Sequence, residues 1–162
     1  MKADGGKDAG LRLAARDADD VAVISAMLQD AIAPLKDLRY EPAERRFVAV
    51  VNRFKWEDAA ATHARDGAYE RVLCGLSVGA VRAARVQGID QGERDRLLSL
   101  LAVAAETGPA GPAVVLTFAG GGSVRLEVER VAIVAEDLGL PWPTQWQPGH
   151  GADGSGGESG KR

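Results

Sequence analysis

The chain has 162 residues, with 20 Lys plus Arg against 23 Asp plus Glu and a formal net charge of -3. That length suits one domain with a sizeable core, and the acidic balance gives no electrostatic reason to bind duplex nucleic acid. A single cysteine excludes an intrachain disulfide and a Cys-based zinc cluster.

The first ten residues, MKADGGKDAG, have almost nothing to bury and no apolar signal core. They are expected to be a disordered N-terminus (1–10) on a cytoplasmic chain. Leu11–Ala15 alternates as a short strand. Asp17, Ala18, Asp19 and Asp20 then supply a cap and first-turn negative charge, and Val21, Ile24 and Leu28 follow at helical spacing. A short helix through Leu28 is predicted, closed by Pro34 at the latest. Phe47–Trp56 is the clearest strand. Its even positions, Val48, Val50, Asn52, Phe54 and Trp56, are apolar except for Asn52. Its odd positions pass from Phe47, Ala49 and Val51 to the cationic Arg53 and Lys55, predicting a wet face at the strand's end. Residues 57–68 are small and polar, a loop.

Arg71–Val78 and Ala80–Ile89 read as strands bent near Gly79. Residues 96–105 are ambiguous between strand and helix, and their place among strands favours strand. Glu106–Pro112 is a turn. Ala113–Phe118 and Ser123–Val128 are joined by Ala119-Gly120-Gly121-Gly122, a hairpin signal. Residues 129–138 are predicted to be helical: Val131, Val134, Ala135 and Leu138 form a stripe, with Gly139 as the left-handed cap and Pro141 as the stop. Glycine crowds 149–162, predicting a flexible tail and placing the globular domain at 11–148.

The expected class is α+β: a mostly antiparallel β meander, as a bent sheet or small barrel, with a short N-terminal helix and a C-terminal helix. Pleckstrin-homology-like barrels share that element order. The alternative is an α+β sandwich with 96–105 helical. Three stretches also carry a resemblance. Val23–Ala31 with Leu28-Gln29-Asp30-Ala31, Arg46-Phe47 leading to Asn52–Glu57, and Phe118–Gly122 resemble an uncharacterised bacterial family over about Leu11 to His150. The resemblance implies one domain and brings no activity, substrate or cofactor.

Most chemical signals read as structural. His63 and His150 have only Asp66 nearby as a co-ligand, so no metal and no cofactor are expected. Cys74 alternates with Val72 and Leu76 on an apolar strand face, a buried thiol rather than a nucleophile. Gly75-Leu76-Ser77-Val78-Gly79 matches the nucleophile elbow, but a strand rather than a helix follows. Gly120–Gly122 precedes a strand, not a phosphate-binding helix. Asp37 and Glu127 read as solvated charge.

Two stretches are different. In Asn52-Arg53-Phe54-Lys55-Trp56-Glu57 a polar amide interrupts an apolar face. Either Asn52 bonds to backbone while Arg53 pairs with Asp30 or Glu57, or Arg53 and Lys55 face an anion beside the flat Trp56. Trp142 and Trp146 sit among prolines, as a strap folded back on the domain or a stiff segment docking into another protein. The ligand or partner residues proposed from sequence are therefore Asp30, Asn52, Arg53, Lys55, Trp56, Glu57, Trp142 and Trp146. With no catalytic motif that survives its context, the expected function is a non-catalytic binding or adaptor module for a protein or small anionic ligand. It is expected to bind neither duplex nucleic acid nor membrane. The alternative is a small enzyme with a carboxylate site near Asp30 and Glu57. Few aromatics and an acidic balance disfavour single-stranded nucleic acid.

Overall fold

The computed structural model describes residues 10–56 and 69–144. A short strand, β1 (Arg12–Ala15), leads into α1 (Ala18–Leu28), the one α-helix among the described residues. Asp17 caps the helix, its carboxylate accepting from the Asp20 amide at 2.9 Å, and Val21, Ile24 and Leu28 are its buried stripe. Two short strands follow, β2 (Ile32–Pro34) and β3 (Leu38–Glu41), each leading into a single 3-10 turn. The long strands are β4 (Arg46–Phe54), β5 (Tyr69–Val78), β6 (Val81–Gln87), β7 (Leu97–Gly108), β8 (Gly111–Phe118), β9 (Ser123–Val128) and β10 (Ile133–Thr144).

They form one ten-stranded antiparallel sheet in the order β1-β10-β5-β4-β2-β7-β8-β9-β6, with β3 sharing β4's edge beside β2. Three-residue β2 joins the two halves: Ile32 lies opposite Asn52 on one side and Ser99 on the other. The sheet bends so that inward side chains of both halves meet in a single core, from Phe47, Val51 and Leu76 to Leu116, Phe118 and Leu126. α1 lies against the edge of β7, where the Val103 amide donates to Ser25 Oγ at 2.9 Å. The turn after it continues the contact, with the Leu100 amide donating to the Ala31 carbonyl at 2.8 Å. The predicted bend near Gly79 is the β5–β6 corner, with Ala80 in the left-handed region at φ 55°.

Two expectations are overturned. The helix predicted over 129–138 is not formed: most of that segment belongs to β10, which pairs with β5 on one side and β1 on the other. The α+β class with two helices gives way to a mostly β fold with one, and the pleckstrin-homology analogy loses the helix that closes it. The apolar residues at 131, 134, 135 and 138 suit a helix locally. The same segment also alternates, with Ile133 and Ala135 buried inward and Val134, Glu136 and Leu138 outward, and two partner strands decide between the patterns. Gly139, at φ 77°, sits in an irregularity of pairing between Leu138 and Trp142 rather than capping a helix.

The second correction concerns β4. Its odd face is the buried one throughout: Phe47, Ala49, Val51 and Arg53 point inward, while Val50 on the even face is exposed. Residues 96–105 lie almost wholly in strand β7, which removes the sandwich with a helix there.

Candidate functional site

The side chains singled out in β4 divide between the two faces of the sheet. Arg53 points into the core and is 0% exposed. It pairs with Asp137 of β10, a partner the sequence did not suggest: Nε donates to Oδ1 at 2.8 Å and Nη2 to Oδ2 at 2.9 Å. Asp137 Oδ2 also accepts from the Leu11 amide at 2.9 Å, and Arg53 Nη1 donates to the Phe54 carbonyl at 3.3 Å. A guanidinium and a carboxylate matched fork to fork, with further bonds on both, satisfy one another where water cannot reach. This arrangement holds β4 to β10 across β5 and presents no charge to a ligand.

On the opposite face, Asn52 meets Arg71 of β5. Arg71 Nη1 donates to Asn52 Oδ1 at 2.9 Å and to its carbonyl at 3.0 Å. The guanidinium lies 5.9 Å from the centroid of the Phe54 ring, directly across the strand pair. Burial pushes its pKa down, and the charge of Asp30 opposes that shift. Trp56 packs edge-on against Phe54, ring centroids 4.8 Å apart, and its Nε1 donates to the Gln29 carbonyl at 3.0 Å. Asp30 follows in the left-handed region, at φ 66°. Lys55 pairs with Glu70, Nζ to Oε1 at 3.3 Å. Asp30, Asn52 and Trp56 thus share one cluster at the end of β4 and β5, and Arg53 lies on the far side of the sheet. Trp142 is placed in β10 opposite Arg71 along the backbone. Glu57, Trp146, His63, Asp66 and His150 lie outside the described residues.

Sequence reasoning missed Asp137 and Arg71. Asp137 was hidden by the helical reading of its segment; read as a strand, its alternation with Ile133 and Ala135 would have put it inside. Arg71 gave no signal, because an arginine at the start of a strand is ordinary surface.

Cys74 is wholly buried on β5. Burial first, and then the negative charge of Asp137, push its thiol up to about 12, so it is no nucleophile. Ser77 is followed by the β5–β6 corner, not a helix, and Gly120–Gly122 forms the β8–β9 turn, with the Phe118 amide donating to the Gly122 carbonyl at 2.8 Å. Glu127 pairs with Arg85. Among the described residues no group of three His, Cys, Asp or Glu is arranged to hold a metal ion. No helix among them is long and apolar enough to cross a membrane.

The outer face of β4, β5 and β10 is unusual in another way. Three cross-strand rows lie side by side: Val48–Ser77–Val134, Val50–Gly75–Glu136 and Asn52–Leu73–Leu138. Val50, Leu73 and Leu138 are 37%, 41% and 41% exposed. Val50 and Leu138 line, with Val48, Ser77, Val134 and Glu136, a depression of about 220 Å³ over Gly75, and Leu73 lies in the next cross-strand row. The missing side chain makes the hollow: a Cβ at Gly75 would sit 3.4 Å from Leu138 Cδ1. Val50, Leu73 and Leu138 thus form a contiguous aliphatic strip on the outer face of the sheet.

These features define a mostly β, one-helix domain with an internally paired ionic core and an apolar outer face. A family model described as "protein of unknown function (DUF2948)" matches residues 11–150, and the chain belongs to that family. No curated protein and no solved structure matches it.

Proposed function

We propose that this is a non-catalytic binding module, a cytoplasmic protein of bacterial origin, that recognises a protein partner through the outer face of β4, β5 and β10. The observation carrying this reading is the aliphatic strip of Val50, Leu73 and Leu138 beside the Gly75 hollow, left in water by a fold that buries its charged Arg53 completely. The partner's surface is flat and apolar, as the strip is. Arg53 and Asn52, engaged with Asp137 and Arg71, serve the fold rather than an anion.

The test places a photo-cross-linking residue in the hollow as Ser77→p-benzoylphenylalanine, with the same residue at Arg85 on the other half as control. An adduct with another protein, formed from position 77, absent from position 85 and lost on Leu73→Glu, is expected. An adduct only with a second copy of the chain would replace the adaptor reading with a homodimer interface. No adduct from position 77 would remove it.

A second reading draws on one observation, the left-handed backbone of the non-glycine Asp30 beside Arg71, since such strain gathers at functional sites. It is a small enzyme with a carboxylate site near Asp30 and Glu57. Turnover of a metabolite by the protein, lost on Asp30→Asn, would carry it; a metabolite extract unchanged by the protein would dismiss it.

A further inference from the structure

Two free strand edges of the sheet, those of β3 and β6, come close to each other without pairing. At one end the gap is closed by the Val81 amide donating to the Arg45 carbonyl at 2.9 Å. At the other, the Leu35 and Lys36 amides donate to the carbonyls of Arg96 and Arg94, both at 2.9 Å. Between these fixed ends lies a cavity of about 90 Å³. Its walls are aliphatic and aromatic, with Leu38 and Phe47 from one half and Ala84, Val86 and Val124 from the other. Tyr40, Gln91 and Arg94 are the polar side chains among its lining.

The charge around it is uneven. The acids flanking Arg94 in sequence are engaged elsewhere, Glu93 with Arg96 at 3.7 Å and Asp95 with Lys36 at 3.1 Å. Arg94 is solvent-exposed and has no acid within ion-pair distance among the described residues. An apolar hollow with one uncompensated guanidinium, a phenol and an amide beside it suits a ligand of opposite construction.

We infer that this cavity binds a small aliphatic monocarboxylate, its hydrocarbon body between β3 and β6 and its carboxylate on Arg94. The guanidinium fork fits a carboxylate in two-point contact, and Tyr40 and Gln91 can each add a donor. Size limits the body: a cavity of roughly 150 Å³ lined by such side chains takes benzene, so this smaller one takes about four or five carbons. Because backbone bonds close the gap at both ends, it suits a small molecule, whereas a peptide strand could not run through. The site shares no residue with the outer face of β4, β5 and β10, so either assignment stands or falls alone.

The test is a titration of the full-length ¹⁵N- and methyl-labelled protein with 3-methylbutanoate, followed by NMR, beside the isosteric alcohol 3-methylbutan-1-ol. Saturable shifts at Tyr40, Val86 and Val124 are expected, with the acid bound at least about tenfold more tightly than the alcohol. In Arg94→Gln, a change at a solvent-exposed side chain that leaves the fold intact, that preference should vanish while the alcohol's affinity stays. Ala84→Leu, which fills the floor, should abolish both, with the rest of the spectrum unchanged. Absence of saturable shifts in the unmodified protein would overturn the site. Equal affinity for acid and alcohol would reduce it to an apolar hole, and a preference surviving Arg94→Gln would overturn the role of Arg94.

Discussion

The two halves of the sheet solve the same burial problem differently. In β6, β7, β8 and β9 the interior is apolar and charges stay outside, where Arg85 meets Glu127 at 3.3 Å and Arg125 meets Glu106 at 2.9 Å. β9 shows the simplest form: Val124, Leu126 and Val128 are buried, and Ser123, Arg125 and Glu127 alternate with them. In β4, β5 and β10 a charged pair is buried in the core and aliphatic side chains are left on the outer face. An exposed ion pair contributes little, whereas a buried one fixes which strands lie together at a high cost if broken. Aliphatic side chains are exposed in the other half too, at Val86, Leu97 and Leu101, so the buried ion pair is what sets apart the half that carries the proposed contact face.

That contrast can be broken most severely at Asp137. Asp137→Ala leaves Arg53 buried without its carboxylate and should cost about 3–5 kcal/mol in urea unfolding. Replacing both partners, Arg53→Met with Asp137→Leu, should recover most of that loss, and a double variant as unstable as the single one would deny the pairing. In the apolar half, Leu126→Ala should cost about 2–5 kcal/mol through lost burial and a cavity, with no second substitution of a charge able to rescue it. Asp17→Ala removes the α1 cap and should cost about 1 kcal/mol, read as a lower urea midpoint at unchanged slope. Arg85→Ala breaks an exposed pair and should move stability by less than about 0.5 kcal/mol; a loss comparable to Asp137→Ala would erase the distinction between the halves.

The same contrast explains how much was legible in the sequence. Where residues follow one periodicity, the reading was sound: the capped stripe of α1, the glycine turn between β8 and β9, and the alternation of β9 all appear as their side chains require. β7 needed context, since its Leu and Ala content suits a helix and its long pairing with β8 makes it a strand. β2 and β3 were not read at all, being three and four residues long, and Pro34 and Pro42 disguise them as loop. β10 was misread because one spacing of apolar residues satisfied both helix and strand, and only its partners β1 and β5 distinguish them.

The site was legible as a neighbourhood and not as a set of roles. Asn52, Arg53 and Trp56 stand out in the sequence as polar and aromatic groups that need partners, without showing which partners. Which face each occupies depended on Asp137, 84 residues from Arg53, and on Arg71, 19 residues from Asn52. The exposed strip was invisible for a related reason. Val50, Leu73 and Leu138 are ordinary aliphatic residues in three separate strands, and only the register brings them together beside Gly75.

The most direct test compares two variants in the photo-cross-linking assay from position 77: the paired replacement Arg53→Met with Asp137→Leu, and Leu73→Glu. The expected result is an adduct retained by the paired replacement, whose ion pair serves only the fold, and lost in Leu73→Glu, which is folded but charged on the contact face. The contradicting result is the reverse, an adduct that survives Leu73→Glu and disappears from a folded protein lacking Arg53 and Asp137.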